Sequence, residues 1–275
     1  MTAQRIEACF GALAHEGRAG FVAYVMAGDP DRDTAAAILK GLPAAGADVI
    51  ELGMPFSDPV ADGPPIQRAA IRALKNGMTL TGVLDMVREF RLSDSTTPIV
   101  LMGYLNPLLT FGLAQFAAAA AQAGADGCIV VDCPPEEADP LADAFDAEDM
   151  ALIRLATPTT DDARLAIVAR RTRGFVYYVS VAGVTGAKEA DADAIAPAVD
   201  RVRRASGLPV AVGFGIRTPE RAAEVARVAD AAVVGSALVD EIAAAITQKR
   251  DPVAKVLNTV ANIAMAVRTA RLPAG

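Results

Sequence analysis

The sequence predicts an α/β protein, a (β/α)8 barrel with an extra N-terminal helix, and two observations support that prediction. Eight short apolar runs rich in β-branched residues recur along the 275 residues. Both faces of each run are apolar, which is typical of parallel strands buried on both sides. Longer stretches with helical spacing, rich in Ala, Leu, Arg and Glu, separate successive runs, as the βα repeat of a barrel requires.

The strands are predicted at residues 21–25, 48–52, 98–102, 127–131, 151–155, 175–180, 209–212 and 231–234. The clearest helical stretches between them are 34–45, 113–123, 161–171 and 219–228. The phrase Ala-Gly-Ala-Asp occurs at 45–48 and at 123–126, and each copy is expected to end a helix and lead into a strand.

An open, doubly wound sheet is the structural alternative. That fold usually carries a Gly-rich dinucleotide loop after its first strand. Here the first strand runs into Met26-Ala27-Gly28-Asp29-Pro30, with no G-x-G-x-x-G pattern, so the barrel is favoured. No linker or low-complexity segment divides the chain, and barrels of about 250 residues are common, so residues 1–275 are predicted to form a single barrel domain.

Composition excludes several classes of protein. Hydrophobic residues make up 53% of the chain, which excludes a disordered polar protein. The net charge of −7 argues against nucleic-acid binding, which needs a basic face. No uncharged apolar run is long enough to cross a membrane.

The numbers and spacing of histidine and cysteine limit the kinds of metal and catalytic site that the chain can form. His15 is the only histidine, so a His-rich metal site or a pair of catalytic histidines is excluded, and a surface role is expected for it. Cys9, Cys128 and Cys133 are odd in number and form no C-x-x-C, which favours a reducing, cytoplasmic setting. If the chain is an enzyme, carboxylates and backbone groups must perform most of its chemistry.

Carboxylates occur after the second strand, at the barrel face where active sites lie. Glu51 ends an otherwise apolar strand, and a carboxylate there is costly to desolvate unless it is paired or used. Asp58 and Asp62 follow in a stiff loop rich in Pro and Gly. Asp58 is interpreted as a turn-stabilising residue, whereas Glu51 and Asp62 are candidates for catalysis.

Glycine-bearing loops follow three later strands. They are Gly213-Phe214-Gly215 after the seventh strand, Gly235-Ser236 after the eighth, and Gly183 to Lys188 after the sixth. Small residues let backbone N–H groups approach an anion, and a following helix adds its dipole. These loops predict a site for a phosphate monoester, with the 183–188 segment placed to act as a lid.

Four motifs now carry a family resemblance: ELGMPFSDPVADGPPIQRA, FVYYVSVAGVTG, PVAVGFGI and VVGSALV, in that order. Together they closely resemble the tryptophan synthase alpha subunit family from about Phe21 to Ser236. The resemblance implies a lyase of tryptophan biosynthesis that cleaves indole-3-glycerol phosphate to indole and glyceraldehyde 3-phosphate by a retro-aldol reaction. It also implies a beta subunit as partner, in an alpha2-beta2 heterotetramer that receives the indole.

The resemblance assigns roles to three residues. Glu51 matches the family's general acid/base, Asp62 its second catalytic carboxylate, and Tyr177 an active-site tyrosine. Protonation of the indole at C3 makes the ring N–H positive, so a fixed carboxylate such as Asp62 would stabilise the charge. Glu51 would move the proton between C3 and the side-chain hydroxyl.

The resemblance also implies which metals and cofactors take part. No metal is required, no cofactor is expected in this chain, and pyridoxal phosphate is expected in the beta partner.

The remaining matches concern substrate binding. Thr185 matches a lid threonine that hydrogen-bonds to the catalytic aspartate. Other residues match the indole slot, namely Tyr24, Met102, Ile129, Leu155 and Phe214, or the phosphate contacts, namely Gly186, Gly215, Gly235 and Ser236. The family more often has Phe at the position of Tyr24 and Thr at the position of Pro65.

Three alternatives stay open at this point. The chain could be another phosphate-binding barrel enzyme of the same route, although such enzymes lack the segment from Glu51 to Asp62. It could be a free-standing lyase that needs no partner. It could also be a non-catalytic subunit that only activates a partner, which the two intact carboxylates disfavour.

Overall fold

The architecture is given by a computed structural model that describes residues 3–179, 192–213 and 215–272. Nine parallel strands form its sheet: β1 (Gly20–Met26), β2 (Val49–Gly53), β3 (Ile99–Gly103), β4 (Gly127–Val130), β5 (Ala151–Ile153), β6 (Leu155–Ala156), β7 (Val176–Val179), β8 (Val210–Gly213) and β9 (Ala231–Val234).

The helices that surround the sheet are α1 (Gln4–His15), α2 (Arg32–Gly41), α3 (Pro64–Lys75), α4 (Leu80–Arg91), α5 (Leu105–Phe111), α6 (Leu113–Ala123), α7 (Asp139–Ala147), α8 (Asp162–Ala169), α9 (Ala192–Ser206), α10 (Pro219–Val228), α11 (Ser236–Thr247) and α12 (Pro252–Thr269). A short 3-10 turn, Pro135–Glu137, precedes α7.

The strand order β5-β4-β3-β2-β1-β9-β8-β7-β6 closes the sheet into a barrel. Its two ends, β5 and β6, are separated along the chain by Arg154 alone, and they pair with β4 and β7 respectively. The eight predicted strands are therefore confirmed in position. The fifth, predicted as one strand over 151–155, is divided at Arg154, and its second part extends to Ala156.

The barrel interior is filled by inward-facing side chains from alternate strand positions. Val22, Val49, Val100 and Ile129 belong to this interior cluster. The predicted N-terminal helix is present as α1 and covers the amino end of the barrel, where Phe10 packs on Phe175 with ring centroids 5.4 Å apart. With that end filled by apolar side chains, the opposite, carboxyl end is the mouth available for polar chemistry.

Several smaller expectations can be compared with the structure. Gly124 ends α6 in the left-handed conformation, as predicted for the second Ala-Gly-Ala-Asp copy. The first copy differs, because α2 ends at Gly41 and a further turn precedes Gly46, whose φ is +106°.

His15 is exposed, and the three cysteines are free thiols. Within the described ranges, no helix has the length and apolar character needed to cross a membrane.

Candidate active site

Glu51 lies in the barrel mouth as a buried carboxyl group. Its strand, β2, is apolar apart from this residue, and only 1% of the Glu51 surface is exposed. No described residue hydrogen-bonds to its Oε1 atom. A buried polar atom without a partner is costly and unusual, which makes this oxygen a candidate for contact with a ligand.

Tyr24 stands beside Glu51 on the neighbouring strand. The two residues are paired in the register of β1 and β2, so their side chains project to the same side of the sheet. The Tyr24 hydroxyl occupies the space where a side chain on Gly53 would begin, which requires glycine at that position. Tyr24 thus forms one wall of the mouth, with its phenol directed toward the two-carboxylate region.

Asp62 is held in place by the loop that connects β2 to α3. Its backbone N–H donates to the Pro59 carbonyl at 3.1 Å, and the Gln67 Nε2 donates to the Asp62 carbonyl at 2.9 Å. The Tyr104 hydroxyl accepts from the Ala61 N–H at 3.1 Å and is hydrogen-bonded to the Asp62 carboxylate. These bonds attach the loop to the end of β3 and orient Asp62.

Burial and proximity separate the proton affinities of the two carboxyl groups. Desolvation raises the pKa of Glu51 to about 8, and the charge of Asp62 raises it in the same direction. Desolvation also raises the pKa of Asp62, to about 6, although the hydrogen bond from Tyr104 lowers it. At pH 7 the site therefore holds a protonated Glu51 and an ionised Asp62, which suits one as an acid and the other as a charge stabiliser.

Asp58 behaves differently from its neighbour Asp62. It is exposed, and the Ser57 hydroxyl donates to its carboxylate at 2.5 Å while its carbonyl accepts from the Val60 N–H at 2.9 Å. These are contacts within the loop itself. They agree with the interpretation of Asp58 as a turn residue.

Tyr177 forms part of the opposite wall. It is buried, and its hydroxyl fills the space where a side chain on Gly213 would begin. In the strand register it stands beside Leu155, and Met102 stands beside Ile129. The structure thus brings the described residues predicted for the indole slot to the same barrel mouth, lined largely by apolar atoms.

The predicted phosphate contacts lie after the last two strands. Gly235 follows β9 and precedes α11, whose first residue is Ser236, so unpaired N–H groups of a 12-residue helix face this end of the barrel. Gly215 has a φ of +82° and no atom within 4 Å of a side chain built on it, which leaves open space. A side chain on Gly235 would instead lie 3.2 Å from Tyr24.

Three predicted site residues, Thr185, Gly186 and Phe214, lie outside the described residues. One residue was missed by the sequence analysis, namely Tyr104, which is hydrogen-bonded to Asp62. Its position directly after Gly103, at the end of β3, was an available signal because side chains at strand ends meet at the barrel mouth. The unusual Pro65 lies within the first turn of α3, where a missing N–H costs no intrahelical bond.

A carboxylate pair in the mouth of a closed parallel barrel, beside a helix N-terminus, is typical of a (β/α)8-barrel enzyme with acid–base chemistry. Comparison with known proteins specifies the family. The family model described as "Tryptophan synthase alpha chain" matches residues 10–268. The chain belongs to this family.

Relatives along the whole chain agree with that assignment. The tryptophan synthase alpha chain of Phenylobacterium zucineum is 72% identical over 271 residues and covers 98% of both chains. That of Caulobacter vibrioides is 68% identical over 272 residues and covers 99% of both. The crystal structure of tryptophan synthase subunit alpha from Legionella pneumophila is 40% identical, with a TM-score of 0.90, covering 96% of this chain and 98% of that one.

Proposed function

We propose that this chain cleaves indole-3-glycerol phosphate to indole and glyceraldehyde 3-phosphate, with Glu51 and Asp62 as its catalytic residues. Family membership supports the lyase activity. The observation that supports the two residue roles is the separation of their pKa values, about 8 for Glu51 and about 6 for Asp62, in one barrel mouth. A pair separated in this way supplies an acid and a fixed anion at the same pH.

The reaction begins with protonation of the indole ring. Glu51, protonated at neutral pH, donates its proton to C3 of the substrate, which turns the ring into a cationic indolenine. Asp62 remains ionised and accepts a hydrogen bond from the ring N–H, whose positive charge it stabilises. The Tyr104 hydroxyl keeps Asp62 oriented and favours its anionic form.

The carbon–carbon bond then breaks. The Glu51 carboxylate takes the proton from the hydroxyl of the glycerol chain, the carbonyl of glyceraldehyde 3-phosphate forms, and the bonding electrons return to the indole ring. Glu51 ends the cycle protonated, so no external acid is consumed. The buried, unpartnered Oε1 atom of Glu51 leaves that carboxyl group available for both transfers.

Binding is assigned to the walls of the mouth. Tyr24, Met102, Ile129, Leu155 and Tyr177 would hold the indole ring, and the Gly215, Gly235 and Ser236 backbone would hold the phosphate. Phe214, Thr185 and Gly186 keep the roles that the family resemblance implies for them, in the indole slot, the lid and the phosphate site.

The partner and setting are also part of the proposal. A beta subunit would receive the indole in an alpha2-beta2 heterotetramer, would carry the pyridoxal phosphate, and would work with this chain in the cytoplasm. A chain of the solved structure of Mycobacterium tuberculosis tryptophan synthase is 35% identical, with a TM-score of 0.87 over 96% of this chain, which supports placing this chain in such an enzyme.

One assay tests the activity and the partner together. Indole release from indole-3-glycerol phosphate is measured with the purified chain alone and with a beta subunit added. Weak activity that the beta subunit raises supports the proposal. Strong activity of the chain alone would identify a free-standing lyase, and no activity in either case would identify a non-catalytic activator.

A further inference from the structure

A second cavity lies beside the barrel wall, at the carboxyl ends of β4 and β5. It measures about 270 Å³ and lies between the loop after β4, the start of α7 and the divided strand β5–β6. Arg154, between β5 and β6, lines it. The neighbours Ile153 and Leu155 face the barrel interior, so the alternation of the strand turns Arg154 outward.

Arg154 is a buried cation with an unused hydrogen-bonding edge. Only 7% of its surface is exposed, and the one hydrogen bond of its side chain to another described residue is a long one of 3.5 Å from Nη1 to the Ile167 carbonyl. Within residues 3–179, 192–213 and 215–272, its Nε and Nη2 atoms have no hydrogen-bond partner. An unpaired buried guanidinium edge is costly, because these donors have left water without gaining an acceptor.

A second arginine of this chain shows which chemical group pairs with the Nε and Nη2 donors of an arginine. Arg72 donates from Nε and Nη2 to the two carboxylate oxygens of Asp29, at 2.6 and 2.8 Å. This two-bond arrangement is the strong, planar recognition of a carboxylate by arginine. The unused pair of donors on Arg154 is thus the pair that holds a carboxylate elsewhere in this chain.

No neighbouring acid of the described chain fills that role. Asp132 lines the cavity, but its carboxylate accepts from the Leu105 N–H at 2.7 Å. Asp139 lies 3.6 Å from both Arg170 and Arg171. The Cys133 thiol also lines the cavity, and burial raises its pKa, so it stays uncharged near neutral pH.

The remaining walls are largely apolar. Val130, Pro134, Leu141 and Leu152 are among the side chains that line the cavity. Its volume is below the roughly 300–1,000 Å³ of pockets for drug-sized ligands, so the occupant must be small. Apart from Asp132, whose carboxylate accepts the Leu105 N–H, and the uncharged Cys133 thiol, the cavity combines apolar walls with one buried cation, which suits a small anion with an apolar body.

We propose that this cavity is a binding site for a small organic carboxylate, whose two oxygens pair with Nε and Nη2 of Arg154 and whose apolar body packs on the cavity walls. The two nitrogens are covered in the unliganded chain. Binding would therefore involve a turn of the guanidinium toward the cavity. The carboxylate pairs with Arg154 rather than with Glu51 or Asp62, so this proposal does not depend on the activity proposed above.

Thermal unfolding of the full chain tests the proposal, with benzoate as the probe. Benzamide is the neutral probe of the same shape, acetate is the anion without an apolar body, and ionic strength is held constant. Arg154→Met removes the cation at similar volume. Arg170→Met is the matched control, because it removes a nearby exposed arginine that does not line the cavity.

Benzoate is expected to raise the Tm of the parent and of Arg170→Met, and to leave the Tm of Arg154→Met unchanged. Acetate should raise the Tm of the parent less than benzoate does, and benzamide should not change it. Equal stabilisation of Arg154→Met, an equal effect of benzamide, or no response of the parent would overturn the proposal.

The Tm of the variants measured without ligand is a second, independent test of the proposal. Because the Arg154 edge is unpaired, Arg154→Met should keep or raise the Tm of the unliganded chain. Arg72→Met breaks the pair with Asp29 and should lower the Tm. A fall in Tm for Arg154→Met as large as that for Arg72→Met would mean that Arg154 has a partner within the chain, and would also overturn the proposal.

Discussion

The Tyr104 hydroxyl is hydrogen-bonded to the Asp62 carboxylate while it accepts the N–H of Ala61, so one phenol fixes both the loop and its acid. The ring of Tyr104 is itself held against Phe56, with centroids 5.2 Å apart. Tyr104 is only 3% exposed, which protects these bonds from competition with water. The ionisation of Asp62 is therefore coupled to a residue of a different strand.

Tyr104→Phe should shift the acid limb of the pH profile of kcat/KM to higher pH. The hydrogen bond lowers the pKa of Asp62, so its removal raises that pKa above about 6 and the anion is lost earlier as pH falls. Activity at pH 9 should fall less than activity at pH 6.5. Tyr178→Phe is the control, because Tyr178 belongs to the outer core cluster and its pKa is not affected by either carboxylate. An unchanged acid limb in Tyr104→Phe would contradict the coupling.

Glu51→Gln should abolish turnover while substrate still binds. A general acid/base contributes about 10² to 10⁴-fold, and the amide keeps the shape of the side chain without a transferable proton. Single-turnover indole release and substrate binding, measured on the same preparation, separate the two effects. Turnover close to that of the parent would refute the role of Glu51.

The same variant should become relatively more stable as pH rises. The pKa of Glu51 is about 8 in the folded chain and 4.5 when the group is unperturbed, so the folded state binds the proton more tightly. Stability of the parent is thus lost between about pH 4.5 and pH 8, and Gln does not titrate. The difference in Tm between Glu51→Gln and the parent should grow across that window and then level off. A constant difference would indicate that Glu51 has no raised pKa.

Asp62→Asn should reduce kcat about 10²-fold or more, because an amide cannot neutralise the charge of the indolenine. Asp58→Asn is the matched control in the same loop, since Asp58 is exposed and its hydrogen bonds to described residues stay within its own turn. The control should keep nearly all activity. Circular dichroism of both variants must match the parent, and equal losses in the two variants would assign the effect to the loop rather than to Asp62.

Ser236→Asp should weaken binding of inorganic phosphate and of glyceraldehyde 3-phosphate, because it adds a negative charge at the N-terminus of α11. Ser236→Asn has nearly the same shape without the charge and should bind both ligands more tightly than Ser236→Asp. Indole binding should be similar in the two variants. This pair of variants isolates the effect of charge better than Gly235→Asp would, because a side chain on Gly235 would also contact Tyr24 in the wall of the indole slot.

Much of the fold was predictable because buried parallel strands are apolar on both faces. The eight runs stand out for that reason, and Glu51 was identified because it interrupts one of them. The division at Arg154 was not predicted, since a single arginine in a short apolar run does not reveal which face it will occupy. Tyr104 was missed because its contact with Asp62 joins the ends of two strands that lie far apart in sequence.

The pKa values of the carboxyl groups could not be predicted in the same way. The sequence places Glu51 near the end of a strand and Asp62 in the loop that follows it, but the separation between about 8 and about 6 depends on how deeply each is buried and on the bond from Tyr104. Those quantities exist only in the folded chain. The predicted acid/base roles of the two residues remain predictions until the variants are assayed.

The contact between the Tyr24 phenol and Gly53 constrains how this mouth can be redesigned. Randomising codon 53 alone would return mostly glycine, because every other side chain begins where that phenol lies. A library that randomises codons 24 and 53 together would reach combinations that no single exchange can, with a smaller residue at 24 admitting a larger one at 53. Screening for cleavage of ring-substituted indoles should therefore yield its hits as linked double exchanges.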